Sequence, residues 1–339
     1  MTPKKVELPL IEPLYSTYHH QGPGVAITAS NPTIRNYYLN EVMNLTCTRR
    51  FLRGFTSPEV SVENSTCGAN PYLEKKWYMM EHLKGYIHPL IRELLDCGYY
   101  VYFNGVDDYY VEGKSWYGEK HFSHDGLICG YDRSDKSYTI YAYDSRWVYR
   151  RFRTPQAAFD RGRIAMCKAG KPGAICGYRP RPDRVPFSPE TACRHLIAYL
   201  DSDMTRYPTT EDGTVYGTAV HDYIGIYLGK LLDGSIPHER MDRRVLRMIW
   251  DHKRVMAERL TLLERAYGLP DRYSRAYKTL VSEADTLRML YACYRMKRRD
   301  SLLPPLMTRL ETLRNTETRI LQGMLSDIKT KETKNETLE

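Results

Sequence analysis

Apolar side chains recur at two different periods along this chain, and the changes of period divide it. Ser30-Asn31-Pro32 supplies an N-cap followed by proline at a first helical position, and the spacing predicts a helix from there to about Phe51. Ile34, Tyr37, Tyr38, Val42 and Leu45 fall on one side of it. Before it, residues 8–28 read as extended structure with turns, closed by the breaker Gly22-Pro23-Gly24. After it, the Ser-, Gly-, Pro- and Asn-rich stretch 54–72 reads as loop. A second helix is expected from about Leu73 to Cys97, with Trp77, Met80, Leu83, Ile87, Ile91 and Leu94 near helical spacing and Gly98 at its C-terminal stop.

The texture then becomes that of strands. Tyr99 to Phe103 is short, aromatic and extended, and Tyr109 to Val111 is a further strand. His124 to Tyr131 is apolar enough for a buried strand, the polar run Gly130 to Ser137 is a hairpin turn, and Ser137 to Asp144 is the return strand. Trp147 to Phe152 adds one more. Helices followed by an antiparallel meander predict an α+β unit.

The Pro-, Gly- and Arg-rich stretch from Lys168 to Pro189 reads as a boundary. Beyond it helices are expected at 189–203, opened by the cap Ser188-Pro189, near 215–233, at about 239–267, at 272–299 and at 304–327. Short loops between them point to a helical bundle. The organisation predicted is therefore an α+β domain over 1–167, a linker over 168–188, a helical domain over 189–328 and a frayed tail over 329–339.

Composition changes this picture in three places. Tyr is in excess, 29 against 7 Phe, which suits half-wet clefts as well as a core because the ring is apolar and its tip polar. The formal charge is +9, with basic runs late in the chain such as Arg243-Arg244 and Lys297-Arg298-Arg299. No nucleic-acid signature accompanies them, so they read as a solvated face or as a surface for an acidic carrier domain or a phosphate-bearing group. The eight Cys form no C-x-x-C pair, which argues against structural zinc, and no stretch of about 18 apolar residues is present to cross a membrane. Free thiols and the missing apolar leader lead to the expectation of a cytoplasmic protein.

Candidate chemistry concentrates between His121 and Ser145. His124 heads one predicted strand and Asp144 ends its partner, which sets both at one end of the sheet. Asp144 is then placed to hold the imidazole tautomer while His124 serves as base. The competing reading is a histidine satisfied in the core and an aspartate capping a turn. Tyr18, His19 and His20 precede the first predicted helix and are candidates to line the same cleft. Adjacent strand residues face opposite ways, so the two histidines are not expected to form a metal site together.

The ordered series Gly98-Tyr99-Tyr100-Val101, Asp107-Asp108-Tyr109-Tyr110, His124-Asp125 and Gly130-Tyr131-Asp132 resembles the N-terminal domain of the butirosin biosynthesis protein H family. The resemblance covers about residues 10–165, with weaker similarity around Asp242-Arg243-Arg244 and His252-Lys253. It implies a papain-like fold similar to the C39 cysteine peptidases, and acyl transfer from carrier proteins during antibiotic assembly. It also implies a Cys nucleophile opening the first helix, where the helix dipole would lower its pKa. Here that point reads Thr28-Ala29-Ser30-Asn31-Pro32 and holds no Cys; Cys47 lies further along the helix and Cys67 in a loop.

Three outcomes follow for the site. Ser30 acts as a weak nucleophile in a Ser-His-Asp variant; His124 activates an amine directly for attack on a carrier-bound thioester; or the site has become a binding pocket. The expected catalytic residues are thus His124, Asp144 and Ser30, with His20, Tyr18, Asp108 and Tyr110 contacting substrate. No resident cofactor or metal is implied, the phosphopantetheine thioester of an acyl or peptidyl carrier protein being a co-substrate. The alternative is a catalytically inactive papain-like partner joined to a helical dimerisation bundle. A peptidase or amidase is disfavoured, because an amide needs a stronger nucleophile than a thioester.

Overall fold

Pairing in register, rather than helix propensity, organises the first half of this chain in its computed structural model, which describes residues 3–53, 56–202 and 213–336. A short strand β1 (Lys5–Glu7) is followed by helix α1 (Gly22–Ala29), a short helix α2 (Asn36–Asn40) and strands β2 (Leu45–Thr48) and β3 (Val60–Val62). Strand β4 (Leu73–Met79) runs into the single-turn helix α3 (Met80–Leu83) and then helix α4 (Ile87–Asp96). The meander follows as β5 (Tyr100–Asp107), β6 (Ser123–Asp132), β7 (Ser137–Tyr143) and β8 (Tyr149–Pro155). Helix α5 (Gln156–Lys168) and strand β9 (Ala174–Pro180) close the first half. The rest comprises α6 (Pro189–Asp201), β10 (Thr214–Tyr216), α7 (Val220–Leu232), α8 (Arg244–Ala266), α9 (Arg272–Lys297) and α10 (Leu303–Glu336).

The expected α+β class holds, with antiparallel sheets and a C-terminal helical bundle. Several boundaries do not. The helix expected over 30–51 is broken: Tyr37 and Tyr38 lie in α2, Leu45 in β2, and Ile34 and Val42 in neither. Gly22-Pro23-Gly24 starts a helix instead of breaking one, because Pro is tolerated in the first turn and the two glycines admit close neighbours. A Cβ at Gly22 would collide with the Tyr149 ring, and one at Gly24 with Cys67. The helix expected over 73–97 begins as strand β4, paired with β9 from Leu73↔Pro180 to Met79↔Ala174. Tyr109 lies in a 3₁₀ turn, Asp108–Tyr110, where a strand was expected.

The chain divides into two compact units, Met1–Arg35 with Ser65–Val185, and Asn36–Asn64 with Pro186–Glu339. The expected linker over 168–188 is therefore a correction: it contains β9, an inner strand between β4 and β5. Tail residues from Lys329 continue helix α10 as far as Glu336. In the first unit a seven-stranded sheet runs β4-β9-β5-β6-β7-β8, with β1 added beside β6. One face carries Ile91, Leu94, Val101, Phe103, Ile128, Ile140 and Phe159 from α4, α5 and the strands. The other carries Ala26 and Ile27 of α1 against Tyr100, Leu127, Cys129, Tyr141 and Cys176. This is a three-layer unit whose strands present apolar residues both ways.

In the second unit residues 36–64 are tied in by buried groups of α8. Arg259 donates to the carbonyls of Leu39 at 2.7 Å, Tyr38 at 2.8 Å and Val42 at 3.1 Å. His252 Nε2 lies 2.8 Å from the Met43 carbonyl. These acceptors lie in and just after α2, where a helix end offers main-chain carbonyls that a buried cation is well placed to bind. Strands β10, β2 and β3 form a small antiparallel sheet in the same unit.

Candidate active site

A register break in β5 builds the site. Val101, Tyr102 and Phe103 pair with Ile128, Leu127 and Gly126, after which the register shifts and Val106 pairs with His124. Gly105 makes the shift feasible: its φ is +67°, and a Cβ there would run into the Gly173 backbone. The bulge sets Asp107 opposite Ser123 and brings the next residue, Asp108, beside His124.

The two aspartates then divide the work. Asp107 Oδ1 accepts from Phe122 N at 2.9 Å and Tyr109 N at 3.2 Å, and its Oδ2 lies 2.7 Å from Nδ1 of His121. It thereby fixes the 3₁₀ turn that presents Asp108. Asp108 Oδ2 lies 2.7 Å from His124 Nδ1, and Oδ1 lies 2.5 Å from Lys114 Nζ. Lys114 Nζ donates to the Asp125 carbonyl at 2.8 Å. The side chains of Asp108 and Lys114 are fully buried, and His124 keeps 12% of its side-chain surface exposed. A carboxylate only accepts, so His124 Nδ1 carries a proton, and in the neutral ring Nε2 presents the lone pair. Among the described residues none hydrogen-bonds that nitrogen.

His19 covers the ring. Its centroid stands 3.9 Å from that of His124, stacked at 29°, and 4.3 Å from Tyr143. Its Nε2 is buried without a hydrogen-bond partner. Burial first, then the neighbouring His124 and Lys114, holds His19 well below the usual histidine range, against a hydrogen bond to the Asp125 main chain that pulls it up. His19 is therefore a neutral imidazole. Phe122 meets the His124 ring edge-on at 5.1 Å, and Trp116 lies 6.3 Å from Phe122 and 5.7 Å from Trp147. The segment before α1 is fastened by Tyr149, whose hydroxyl donates to the Tyr18 carbonyl at 3.2 Å.

No family model matches this chain, and no curated protein sequence matches it.

The geometry corrects the sequence-based assignment of the acid. Asp144 does not touch His124: its Oδ1 accepts from Arg146 N at 2.9 Å and Val148 N at 3.0 Å, and its Oδ2 accepts from Arg150 Nε at 2.8 Å. The β7–β8 turn consumes the carboxylate, and the residue before it, Tyr143, is the one that reaches His19. Asp108, expected to contact substrate, holds the histidine instead. Ser30 is the residue after α1, where its hydroxyl donates to the Ala26 carbonyl at 2.6 Å and accepts from Ile11 N at 2.8 Å. It closes a helix rather than opening one, about 12 Å along the axis from the first turn of α1.

The thiols are no better placed as nucleophiles. Burial pushes Cys47 up to about 12, and burial with Cys176 beside it pushes Cys67 higher still. Tyr18 is buried and its ring lies 5.3 Å from exposed His20. Tyr110 is half-buried, packed edge-on against Tyr109 at 5.2 Å and 5.8 Å from His121. Sequence reasoning missed Lys114 and the stacking role of His19. Among the described residues no group of three or more His, Cys, Asp and Glu side chains is placed to hold a metal ion.

Proposed function

We propose that the first unit is a papain-like acyltransferase site in which His124 acts as general base, oriented by Asp108. The observation that carries the reading is the 2.7 Å contact of His124 Nδ1 with Asp108, which leaves Nε2 without a hydrogen-bond partner among the described residues. The donor is an acyl or aminoacyl thioester on the phosphopantetheine of a carrier protein, in a specialised-metabolite pathway, and the acceptor is a small-molecule amine. The amine nitrogen attacks the thioester carbonyl while His124 Nε2 removes its proton. The C–N bond forms, the C–S bond breaks, and the imidazolium returns the proton to the departing thiolate. When the amine lies in the same molecule as the acyl group, the product is cyclic. Asp108 stabilises the imidazolium without itself taking the proton, and Lys114 balances the buried carboxylate.

No covalent acyl-enzyme enters this scheme. The first turn of α1 reads Gln21-Gly22-Pro23-Gly24 and offers no thiol or hydroxyl, and the stretch Thr28 to Pro32, where the resemblance calls for Cys, holds no Cys either. A thioester is an activated donor, so direct attack by a deprotonated amine suffices. The same observation favours a second reading, an inactive papain-like domain that binds a carrier without turning it over.

One experiment separates the two. Purified protein is mixed with acyl-loaded carrier and candidate amines, and the carrier is followed by intact mass. Transfer requires loss of the acyl mass at a rate that His124→Ala reduces to background. Carrier binding with no acyl loss would leave the second reading, and undiminished turnover by His124→Ala would remove His124 as base.

A further inference from the structure

A second polar centre lies in the helical unit, and nothing in the proposed acyl-transfer chemistry uses it. Glu317 of α10 is fully buried and accepts from Lys253 Nζ at 2.6 and 2.7 Å, from Tyr199 at 3.0 Å and from Tyr277. Those donors satisfy the carboxylate. His221 of α7 stands beside it with a different balance. Its Nδ1 lies 3.0 Å from the Thr218 carbonyl, which can only accept, so Nδ1 carries the proton and Nε2 the lone pair. Nε2 is 3.8 Å from Glu317 Oε2, too far for a hydrogen bond and acceptor against acceptor. Its nitrogen is buried without a partner, on a residue only 2% exposed. Burial, with Lys253 beside it, holds His221 down at about 3, so the ring does not resolve the mismatch by taking up a proton itself.

The same histidine lines a groove of about 530 Å³ between α7 and α10. That volume is in the range of small-ligand clefts, roughly 300–1,000 Å³. Leu232, Met307 and Leu310 supply an apolar wall. Asp222 and Glu311 supply two carboxylates against one cation, Arg314, which is already paired with Asp222 at 2.5 Å. Glu317 is neutralised by Lys253, so Glu311 is the charge left over. A lining histidine whose Nε2 is buried without a partner, an unbalanced carboxylate and a hydrocarbon lining are together complementary to one class of ligand.

We propose that the α7–α10 groove binds a small aliphatic ammonium ion, its N–H groups directed to His221 Nε2 and Glu311 and its carbon chain laid on Leu232, Met307 and Leu310. The site is independent of the His124 centre. Gly225 on α7 provides a way to block it, since a Cβ added there meets nothing within 4 Å and so would grow into the groove without strain.

The test is a titration of the full chain, ¹⁵N-labelled at histidine, with n-pentylammonium chloride and with its uncharged counterpart n-pentanol. The expected result is a saturable shift of the His221 ring nitrogens, with ammonium binding at least about tenfold tighter than the alcohol, or about 1.4 kcal/mol. Gly225→Leu should weaken ammonium binding by a similar factor with an unchanged circular dichroism spectrum. Glu311→Gln, an exposed change, should remove the preference for ammonium and leave alcohol binding unaltered. Equal affinity for the two probes would reduce the groove to an apolar crevice and overturn the proposal. So would undiminished binding by Gly225→Leu, or no movement of the His221 signals at tens of millimolar.

Discussion

Which aspartate serves His124 is decided by where each carboxylate finds its other partners. Asp144 sits in a four-residue turn whose amides need an acceptor, and Arg150 completes its coordination. Asp108 has its neighbouring turn amides capped by Asp107, so it is left to pair with His124 and Lys114. The doublet Asp107-Asp108 was legible as a candidate element, yet its division of labour depends on the β5 bulge, which spacing does not reveal. Thiol chemistry follows burial in the same way. Cys129 is pushed up to about 12 by burial, as is Cys47, whereas Cys97 and Cys167 are exposed. Brief iodoacetamide labelling at pH 8, read by peptide mass, should therefore modify Cys97 and Cys167 first; early labelling of Cys47 or Cys67 would contradict the structure. His19 adds a pH dependence. Its folded pKa lies below the unfolded value near 6.5, so its stabilising neutral form is fully present above pH 6.5. Stability is lost as pH falls below that value, because the unfolded chain gains a proton that the folded one refuses. His19→Phe keeps the ring stack and should flatten the fall in denaturation midpoint between pH 7 and pH 5 by about one proton's worth.

Elements were legible where period and boundary agreed. Among the later helices, Ser188 caps α6 by accepting from Thr191 N at 3.2 Å and α8 and α9 fall on the expected stretches, whereas α7 starts only after β10 and α10 runs on to Glu336. The strands β6 and β7 likewise followed their apolar runs. Failures came where pairing overrode local pattern. Trp77 and its neighbours have helical spacing, but β9 supplies a hydrogen-bonding edge and Trp77 ends 56% exposed on strand β4. Ala174 to Pro180 lies in a Gly/Pro/Arg-rich stretch, yet it is an inner strand, which only the long-range partners β4 and β5 explain. The bulge in β5 gives a prediction at this scale. Gly105→Ala combines a positive φ with collision against the Gly173 backbone, whereas Gly118 has a similar φ of +68° and open space. Gly118→Ala should cost about 1–2 kcal/mol in urea denaturation. Gly105→Ala should cost clearly more and weaken the His124–Asp108 contact; equal costs would show that the close approach is not required.

At the scale of the molecule, the two compact units are not consecutive pieces of chain, and that is why the expected single boundary fell short. Residues 36–64 leave the first unit and are held in the second by main-chain carbonyls docked on Arg259 and His252. A sequence pattern reports local faces; it does not report that an arginine two hundred residues away caps a short helix. Arg259→Met should therefore destabilise the protein by more than about 2 kcal/mol in urea denaturation, since it strips charged hydrogen bonds from three buried carbonyls. A loss under about 0.5 kcal/mol would mean that water or neighbouring groups satisfy those carbonyls without it. No described helix is long and apolar enough to cross a membrane. Turnover in the carrier assay distinguishes Asp108 from Asp144 as the carboxylate that orients His124 in the proposed reaction. Asp108→Asn should lower the acyl-transfer rate by about a hundredfold or more while Asp144→Asn stays within about twofold of the unaltered protein. Loss of transfer in Asp144→Asn with Asp108→Asn unimpaired would contradict the account.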